Sequence, residues 1–291
     1  MLAKNIIYKI RKKYDIHSMF KNTRRYFSNN NNEGSMLHGL SEGTIYGRKN
    51  GEIVDVSDLS ENCEIELLLS PTPNGHKISI LLEELNMEYK VRCIDLSGEQ
   101  YQEDFLTHSP NAKIPVIIDH SNNFSIFESG AILVYLAEKF GEFIPTDPNE
   151  RAECMSWLFW QMGSAPYLGG GFGHFYAYAP EKFEYPINRF AMEVKRQLDV
   201  LDKNLENRKF ICGDEYNIAD MAIHPWYGYL VLRNAYSAAE FLDVKSYKNV
   251  IRWAEEISER PAYKRGARVG RPPSGPEDNA IPERHDASDL D

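Results

Sequence analysis

The sequence has few cysteines and no long apolar run. Four cysteines occur in 291 residues, and none of them stands in a Cys-x-x-Cys pair. That number is too small for a disulfide scaffold and the spacing is not that of zinc ligands, so we expect a reducing intracellular compartment and no metal site. The longest apolar stretches, such as residues 131–137, are far shorter than the roughly 18 residues of a membrane span, so no membrane insertion is expected.

Positive charge is also scarce in most of the chain. There are 33 Lys and Arg residues against 43 Asp and Glu, which gives a formal net charge of −10. Because an acidic protein repels phosphate backbones, nucleic acid is not an expected partner. The hydrophobic content of 42% is that of a globular protein with a substantial core. The length alone predicts about two domains.

The N-terminal extension, residues 1–35, is the basic exception. Residues 1–30 contain five Lys and three Arg against one Asp. Apolar side chains recur there at four-residue spacing, which predicts a helix with one apolar face; they are Leu2, Ile6, Ile10 and Tyr14. No continuous apolar segment of the secretory type is present.

Two interpretations of this extension stay open. A basic, acid-poor amphipathic segment resembles a mitochondrial presequence, and residues 25–28 resemble a processing-protease cleavage site. The alternative is a disordered basic tail that runs into the asparagine repeat at 29–32. The expected localisation is therefore cytoplasmic, or the mitochondrial matrix if residues 1–27 are a cleaved presequence. Imaging of a reporter fused to residues 1–35 would distinguish the two.

Residues 64–140 alternate between strand and helix patterns. Short apolar runs predict strands and apolar residues at helical spacing predict helices. In chain order we predict a strand at 64–70, a helix from about 74 to 86, strands at 89–95, 116–119 and 124–127, and a helix at 129–140 with Ser129 as its N-cap and Gly141 just past its end. The order βαβ–ββα, with Pro115 directly before the third strand, predicts an α/β thioredoxin-like domain with a mixed sheet.

From residue 147 onward the patterns are helical only. Helical periodicity covers residues 150–164, 181–209, 217–234 and 247–260, which predicts an all-α C-terminal domain. Asn217 and Asp220 have the spacing of a capping box. The glycine-rich block at 169–174 lacks the Lys-Ser/Thr of a nucleotide loop and predicts a tight connection between helices. The chain thus divides into the extension at 1–35, an N-terminal arm at 36–62, the thioredoxin-like domain at 63–145, the helical domain at 148–264 and an extended tail at 265–291.

The junction between the first strand and the first helix is where a thioredoxin-type fold carries its reactive group. Its sequence, SPTPNGHK, contains no cysteine, so the chain has no dithiol of its own there. It offers the Thr72 hydroxyl and the backbone amides around Asn74 at a helix N-terminus. Such groups favour an anion, and they lower the pKa of a nearby thiol. The thiol would then belong to a bound ligand; the alternative is an ordinary capped turn.

Two further junctions complete a candidate site. Amides and the hydroxyl at Ser129 can bind a carboxylate and Glu128 can accept from an ammonium, as an amino-acid head group requires, although a plain capping arrangement is the alternative. A cis bond between Ile114 and Pro115 would present the Ile114 backbone to an extended peptide, although proline is also common where strands begin. Together with the first junction they predict a site for a small extended peptide that carries a thiol, which describes glutathione.

Several stretches of the sequence resemble the glutathione S-transferase superfamily, and within it the nu-class bacterial enzymes that reduce disulfide bonds with glutathione. The resemblance covers about residues 64–291. It rests on the stretches SPTPNGHKISILLEEL, PNAKIPVI, FESGAILVYLAEKFG, WLFWQMGSAPYLGGGFGHFYAYAP, YPINRFAMEVKRQLDVLDKNL, GDEYNIADMAI and ERHDASD. It implies that the all-α domain is the helical domain of a glutathione S-transferase, and that the protein is a homodimer.

The resemblance also implies the site residues. It places Thr72, Pro73 and Asn74 at the glutathione sulfur and gives Thr72 and the Asn74 amide the catalytic role. Around the rest of the tripeptide it places Gln100, Lys113, Ile114, Pro115, Glu128, Ser129 and Arg189. Without it, Arg189 would be a helix-surface residue paired with Glu193. The arm at 36–62 has no match to the family's N-terminal arm, which carries a ligand-contacting asparagine, so a second glutathione is not assigned residues here.

The activity that the resemblance implies is glutathione-dependent disulfide reduction, with glutathione as the cosubstrate. The bound glutathione thiolate would attack a small-molecule or peptide disulfide, and a second glutathione would resolve the mixed disulfide. The same thiolate would serve conjugation to electrophiles, which needs an apolar neighbouring pocket. A non-catalytic binding or regulatory protein is the third possibility, because this fold is reused without activity.

Overall fold

Residues 44–271 are described by the computed structural model, and all of them belong to one compact unit. The extension at 1–35, residues 36–43 of the arm and residues 272–291 of the predicted tail lie outside the described residues, so the predictions made for them stay predictions. The predicted tail began at Arg265, and in the structure Arg265 and Gly266 still belong to a helix. The strands of the described part are β1 (Ile45–Lys49), β2 (Glu52–Val54), β3 (Ile65–Leu69), β4 (Tyr89–Cys93), β5 (Val116–Asp119) and β6 (Phe124–Phe127).

The helices confirm the predicted change from an α/β to an all-α region. They are α1 (Pro73–Glu84), α2 (Glu103–His108), α3 (Ser129–Phe140), α4 (Pro148–Pro166), a π-helix (Tyr167–Tyr178), α5 (Glu184–Asn204), α6 (Ile218–Arg233), α7 (Lys248–Ser258) and α8 (Pro261–Gly266). Within residues 44–271 no helix combines the length and the apolar character that crossing a membrane requires.

The sheet has the strand order β2-β1-β4-β3-β5-β6. Strands β3 and β4 are parallel and are connected through α1, as a βαβ unit requires, and every other pair is antiparallel. The mixed thioredoxin-like sheet is therefore confirmed. Apolar residues of α1 and α3 pack on it in a core that continues into the helical domain; among them are Ile78, Leu81, Ile132, Leu133 and Leu136.

Two of the six strands lie in the segment predicted only as an arm. The hairpin of β1 and β2 extends the sheet beside β4. Its turn is Asn50-Gly51, with φ values of 52° and 79°. Both values are positive, as the two central residues of a type I′ hairpin turn require, and Asn-Gly is the preferred pair there. The four strands predicted within residues 64–140 are present, and the hairpin adds two strands in the arm, where this short signal was available in the sequence.

A buried carboxylate fastens this hairpin to α1. Glu83 Oε1 accepts hydrogen bonds from Arg48 Nε at 2.9 Å, from Arg48 Nη2 at 2.7 Å and from the Tyr89 hydroxyl at 3.0 Å. Its other oxygen accepts from Arg265 Nε, just after the first turn of α8, at 2.8 Å. One side chain of α1 thus holds β1, β4 and the C-terminal helix together, with each of its two oxygens paired to a guanidinium.

The predicted capping box at the start of α6 is confirmed. The Asn217 side chain accepts from the Ala219 amide at 2.9 Å, and Asp220 accepts from the Asn217 amide at 3.2 Å. Asp220 also accepts from the Ile211 amide at 3.0 Å and from Trp253 Nε1 at 2.8 Å. The box therefore joins α6 to α7 as well as capping the start of α6, which fixes the position of α6 in the domain.

The glycine-rich block does not form the tight connection that its composition predicted. It continues α4 as the π-helix Tyr167–Tyr178. Three of its glycines each lie under an aromatic ring: Gly169 under Trp226, Gly171 under Phe190 and Gly173 under Tyr236. The glycines are needed for close contact with these rings, a tertiary requirement that a local pattern of turn residues does not reveal.

Candidate functional site

The register of the sheet brings the three predicted junctions to one edge. Leu68 pairs with Val116, and Val116 pairs with Phe127. Since both pairs are antiparallel, the end of β3, the start of β5 and the end of β6 lie side by side. The loop to Thr72, the Ile114-Pro115 bond and the turn at Glu128 leave the sheet from this edge. The candidate site is therefore assembled from segments that are up to about 57 residues apart in the chain.

The start of α1 leaves one backbone amide unpaired. Thr72 is the N-cap, and its hydroxyl oxygen accepts from the Gly75 amide at 3.2 Å. The His76 amide donates to the Thr72 carbonyl at 2.9 Å, and Pro73 has no N–H to donate. Within the described residues no acceptor is recorded for the Asn74 N–H. Because Thr72 accepts in the cap, its own hydroxyl proton stays available for a ligand.

These two donors suit a thiolate, and the chain places no thiol of its own beside them. The two cysteines of the thioredoxin-like domain are Cys63, which precedes β3, and Cys93, at the end of β4. Cys93 is buried, and burial raises its pKa to about 11. Burial also raises the pKa of Cys63. Neither is therefore an activated nucleophile, and the donors at the helix terminus suit an anion from outside the chain.

The helical domain holds the Asn74 side chain in place. Trp226 Nε1, on α6, donates to Asn74 Oδ1 at 3.0 Å. The indole ring of Trp226 lies against Gly169 of the π-helix, so close that a Cβ there would stand 2.6 Å from a ring carbon. Gly169 therefore positions the indole of Trp226, and that indole positions Asn74, whose backbone amide is free.

The turn before α3 has a strained backbone and free amides. Glu128 is the N-cap residue with φ 72° and ψ 116°, a region that L-residues rarely adopt. Ser129 is the first helical residue, so its prediction as the N-cap was wrong: the strained residue before it takes that position. The Ile132 amide bonds to the Glu128 carbonyl at 3.0 Å, and no described residue accepts from the amides of residues 129–131. Three free N–H groups at a helix start have the polarity that suits a carboxylate.

The bond between Ile114 and Pro115 is cis, as the predicted peptide-binding geometry requires. No described residue forms a hydrogen bond with the Ile114 amide or carbonyl, so this backbone is available to an extended ligand. The neighbouring Lys113 is exposed, and its backbone is held by the Ser109 hydroxyl, which donates to its carbonyl at 2.9 Å.

Gln100 and Arg189, two further residues predicted to contact the ligand, keep hydrogen-bonding groups without a partner among the described residues. Gln100 is buried and donates to the Leu96 carbonyl at 2.7 Å, while its Oε1 has no partner among the described residues. Arg189 is exposed on α5. Its alternative pairing with Glu193 is not formed, because Glu193 is bound by Arg196 at 2.6 Å. Within residues 44–271, both side chains thus have hydrogen-bonding groups that nothing else uses.

Sequence reasoning missed one residue of the site, Lys77. Its side chain is buried between the two domains and donates to Ser129 Oγ at 3.2 Å and to Gln161 Oε1 at 2.8 Å. Burial lowers the pKa of this lysine to about 7, and the nearby Glu128 carboxylate partly offsets the effect. A signal was available: Lys77 is three and four residues before Ile80 and Leu81, so it lies on the buried face of the predicted helix.

Comparison with known proteins is consistent with this geometry. The N-terminal domain model of glutathione S-transferase matches residues 65–138, and its C-terminal domain model matches residues 181–261. These two matches cover both regions of the fold. The chain belongs to the glutathione S-transferase family. In the described part of this family member, no group of three or more His, Cys, Asp or Glu side chains is arranged to hold a metal ion.

Individual members of the family are also similar to the chain. The disulfide-bond oxidoreductase YghU of Escherichia coli is 56% identical over 236 residues, which is 78% of this chain and 82% of that protein. The crystal structure of glutathione transferase YghU from Streptococcus pneumoniae, complexed with glutathione, has a TM-score of 0.70 at 45% identity and covers 84% of this chain and 98% of its own. A glutathione transferase from Pseudomonas putida, with one glutathione disulfide bound per subunit, has a TM-score of 0.68 at 37% identity and covers 73% and 94%.

Proposed function

We propose that this protein is an enzyme, a glutathione-dependent disulfide-bond oxidoreductase. The observation that carries the proposal is the start of α1, where the Thr72 hydroxyl proton and the Asn74 amide are both available beside a helix N-terminus. A thiol bound there is stabilised as the thiolate. The only way to supply that thiol at this position is a ligand, because the segment has no cysteine.

The reaction needs two glutathione thiols and one disulfide. The bound glutathione thiolate attacks one sulfur of the disulfide, which forms a mixed disulfide and releases the other half as a thiolate that takes up a proton. A second glutathione thiolate then attacks the glutathione sulfur of the mixed disulfide. The products are glutathione disulfide and two thiols, so the two electrons that reduce the substrate come from the two glutathiones. The protein contributes orientation and a lowered thiol pKa.

The remaining contacts position the tripeptide. The free amides at 129–131 and the Ser129 hydroxyl bind the γ-glutamyl carboxylate, and Glu128 accepts from the adjacent ammonium. The unpaired Ile114 backbone bonds to the cysteinyl residue in the manner of an added strand. Gln100, Lys113 and Arg189 complete the set of proposed glutathione contacts, and Arg189 suits a ligand carboxylate because a guanidinium binds one bidentately.

A comparison of two substrates tests the proposed activity. We expect the purified full chain with glutathione to reduce 2-hydroxyethyl disulfide, with glutathione disulfide as a product, at a much higher rate than it conjugates glutathione to an aryl halide. The reverse order of rates would identify a conjugating transferase, for which the aromatic side chains around Phe190 would form the apolar pocket. If neither reaction occurs and calorimetry detects no glutathione binding at millimolar concentration, the non-catalytic alternative replaces the proposal.

We also propose that the protein is a homodimer. Phe159 on α4 is 65% exposed and Phe127 on β6 is 38% exposed. Large apolar side chains that stay exposed in a single chain are typical of an interface between subunits.

Hydrodynamic measurement tests the dimer. Sedimentation should give twice the mass of one chain for the wild-type protein and one chain mass for Phe159→Asp, because a carboxylate buried in the interface is unpaired. Tyr185→Asp is the matched control, since Tyr185 is 81% exposed on α5, and it should stay dimeric. A monomeric wild-type chain, or a dimer unaffected by Phe159→Asp, would contradict the proposed interface.

A further inference from the structure

Lys77 is a buried cation whose partners are both neutral. Its side chain lies between α1, α3 and α4 and is 1% exposed. The acceptors of its ammonium group are Ser129 Oγ and Gln161 Oε1, at 3.2 and 2.8 Å. No carboxylate of the described residues lies within ion-pair distance, and no described residue accepts its third N–H. A buried charge without a counter-charge is costly, so this arrangement needs an explanation.

None of the described groups around Lys77 supplies a buried negative charge that could pair with its ammonium. Glu128, at the N-cap of α3, is the acidic side chain that acts on it, and Glu128 is itself exposed to solvent. His76, its neighbour on α1, faces the Tyr229 hydroxyl of α6 at 3.2 Å. Burial lowers the pKa of His76 to about 3, so it is neutral near pH 7. On α4, the contacting group is the uncharged Gln161 amide.

The hydrogen bond to Ser129 has a direct consequence for a ligand. A hydroxyl has one proton to donate and two lone pairs to accept with. When Lys77 donates to Ser129 Oγ, the oxygen accepts, and the hydroxyl proton is directed away from the ammonium. Among the described residues the acceptor of this proton is Met162 Sδ at 3.8 Å, and a thioether sulfur is a weak acceptor. The proton is therefore available to a stronger acceptor bound at the free amides of residues 129–131.

We propose that Lys77 is the positioning residue for the α-carboxylate of the γ-glutamyl group: it orients the Ser129 hydroxyl toward that carboxylate and receives from it the counter-charge that residues 44–271 do not supply. This inference rests on the proposed function, since it takes glutathione as the ligand. Lys77 acts through Ser129. The unpartnered Gln161 Nε2 fits the same arrangement, because the ammonium fixes the Gln161 oxygen toward itself.

A cycle of two ligands and two proteins tests the proposal. The ligands are glutathione and γ-aminobutyryl-cysteinyl-glycine, which differs only by lacking the γ-glutamyl α-carboxylate. The proteins are the wild-type full chain and Lys77→Met, in which a side chain of similar length carries no charge. We expect the wild type to bind the analogue about 10- to 100-fold more weakly than glutathione, which is the usual strength of charge-assisted hydrogen bonds. In Lys77→Met the ratio of the two affinities should be smaller by at least about tenfold.

The controls separate positioning from a merely structural role. Lys248→Met removes an exposed lysine at the start of α7 and should discriminate between the two ligands as the wild type does. A Lys77 variant that affects only folding would weaken the binding of both ligands equally. The ratio of their affinities would then be unchanged, and this result would overturn the proposal. If Lys77→Met does not fold, Lys77→Gln, which is also uncharged, carries the same comparison.

One arm of the experiment needs no variant. By nuclear magnetic resonance of the wild-type chain, glutathione should raise the pKa of the Lys77 ammonium, because the bound carboxylate favours its charged form, and the analogue should raise it less. An equal response to both ligands would overturn the proposal. If the wild-type chain binds neither ligand, the proposed function itself fails; if it binds glutathione and Lys77 has no effect on the ratio, only the positioning role fails.

Discussion

Replacing Thr72 with alanine should slow disulfide reduction at neutral pH by about 10- to 100-fold, because a hydrogen bond to a charged group contributes about 1.5–3 kcal/mol. The loss should appear as a change in the pKa of the bound thiol. Without the hydroxyl donor, the thiolate is less favoured, and the pH–rate profile should move upward by about one to two units. The measurement is the rate of reduction of 2-hydroxyethyl disulfide as a function of pH.

Thr72 also caps α1, so the variant has a second, smaller effect. Loss of the bond from the Gly75 amide should lower the free energy of unfolding by about 1 kcal/mol. Thr72→Ser is the matched variant, since it keeps both the cap and the donor, and it should retain most of the activity and the original pH profile. If Thr72→Ala lowers stability while its rate and profile remain those of the wild type, then Thr72 is a cap and takes no part in the chemistry.

Replacing Gly169 with alanine should both destabilise the protein and impair the site, although Gly169 contacts no ligand. The added Cβ would stand 2.6 Å from a carbon of the Trp226 ring, closer than two such atoms can approach, so the indole must move. Overpacking of this kind costs about 1–3 kcal/mol of unfolding free energy. Because the indole N–H holds the Asn74 side chain, the displacement should also reduce glutathione affinity and turnover.

The adjacent residue supplies the control for this prediction. A Cβ at Gly170 meets nothing within 4 Å, so Gly170→Ala changes the same helix by the same methyl group without a clash. We expect its thermal unfolding and glutathione affinity to equal or slightly exceed those of the wild type. Equal loss in the two variants would mean that backbone freedom in the π-helix is what matters, and the packing explanation would be wrong.

The sequence predicted the parts of this protein that local patterns determine. The βαβ–ββα order, the boundaries of α1 and α3 to within about a turn, and the capping box at Asn217 all follow from hydrophobic spacing and capping residues. The site junctions were also predicted, because two of them lie where a strand pattern meets a helix pattern and the third is marked by a proline directly before a strand. The sheet register that places them at one edge follows from the fold and could be expected once the fold was known.

What the sequence did not reveal depends on tertiary contacts. The glycine block was interpreted as a connection because its partners, Trp226 and Phe190, are distant in the chain and their rings cannot be placed from spacing. The helical spacing placed Lys77 on the buried face, but its partner Gln161 is 84 residues away in the chain, so its role as a buried ammonium between the domains could not be predicted from spacing. The hairpin at Asn50-Gly51 is different, since a recognised turn pair was present there and was not used.

We propose that the sulfur that attacks the disulfide is that of bound glutathione, held as the thiolate at the start of α1. The most direct test of this proposal is a pH titration of the thiolate absorbance of glutathione bound to the wild-type chain at saturating protein. We predict a thiol pKa at least one unit below the roughly 8.5 of a free thiol. A bound glutathione whose thiol titrates as it does in water would contradict the account.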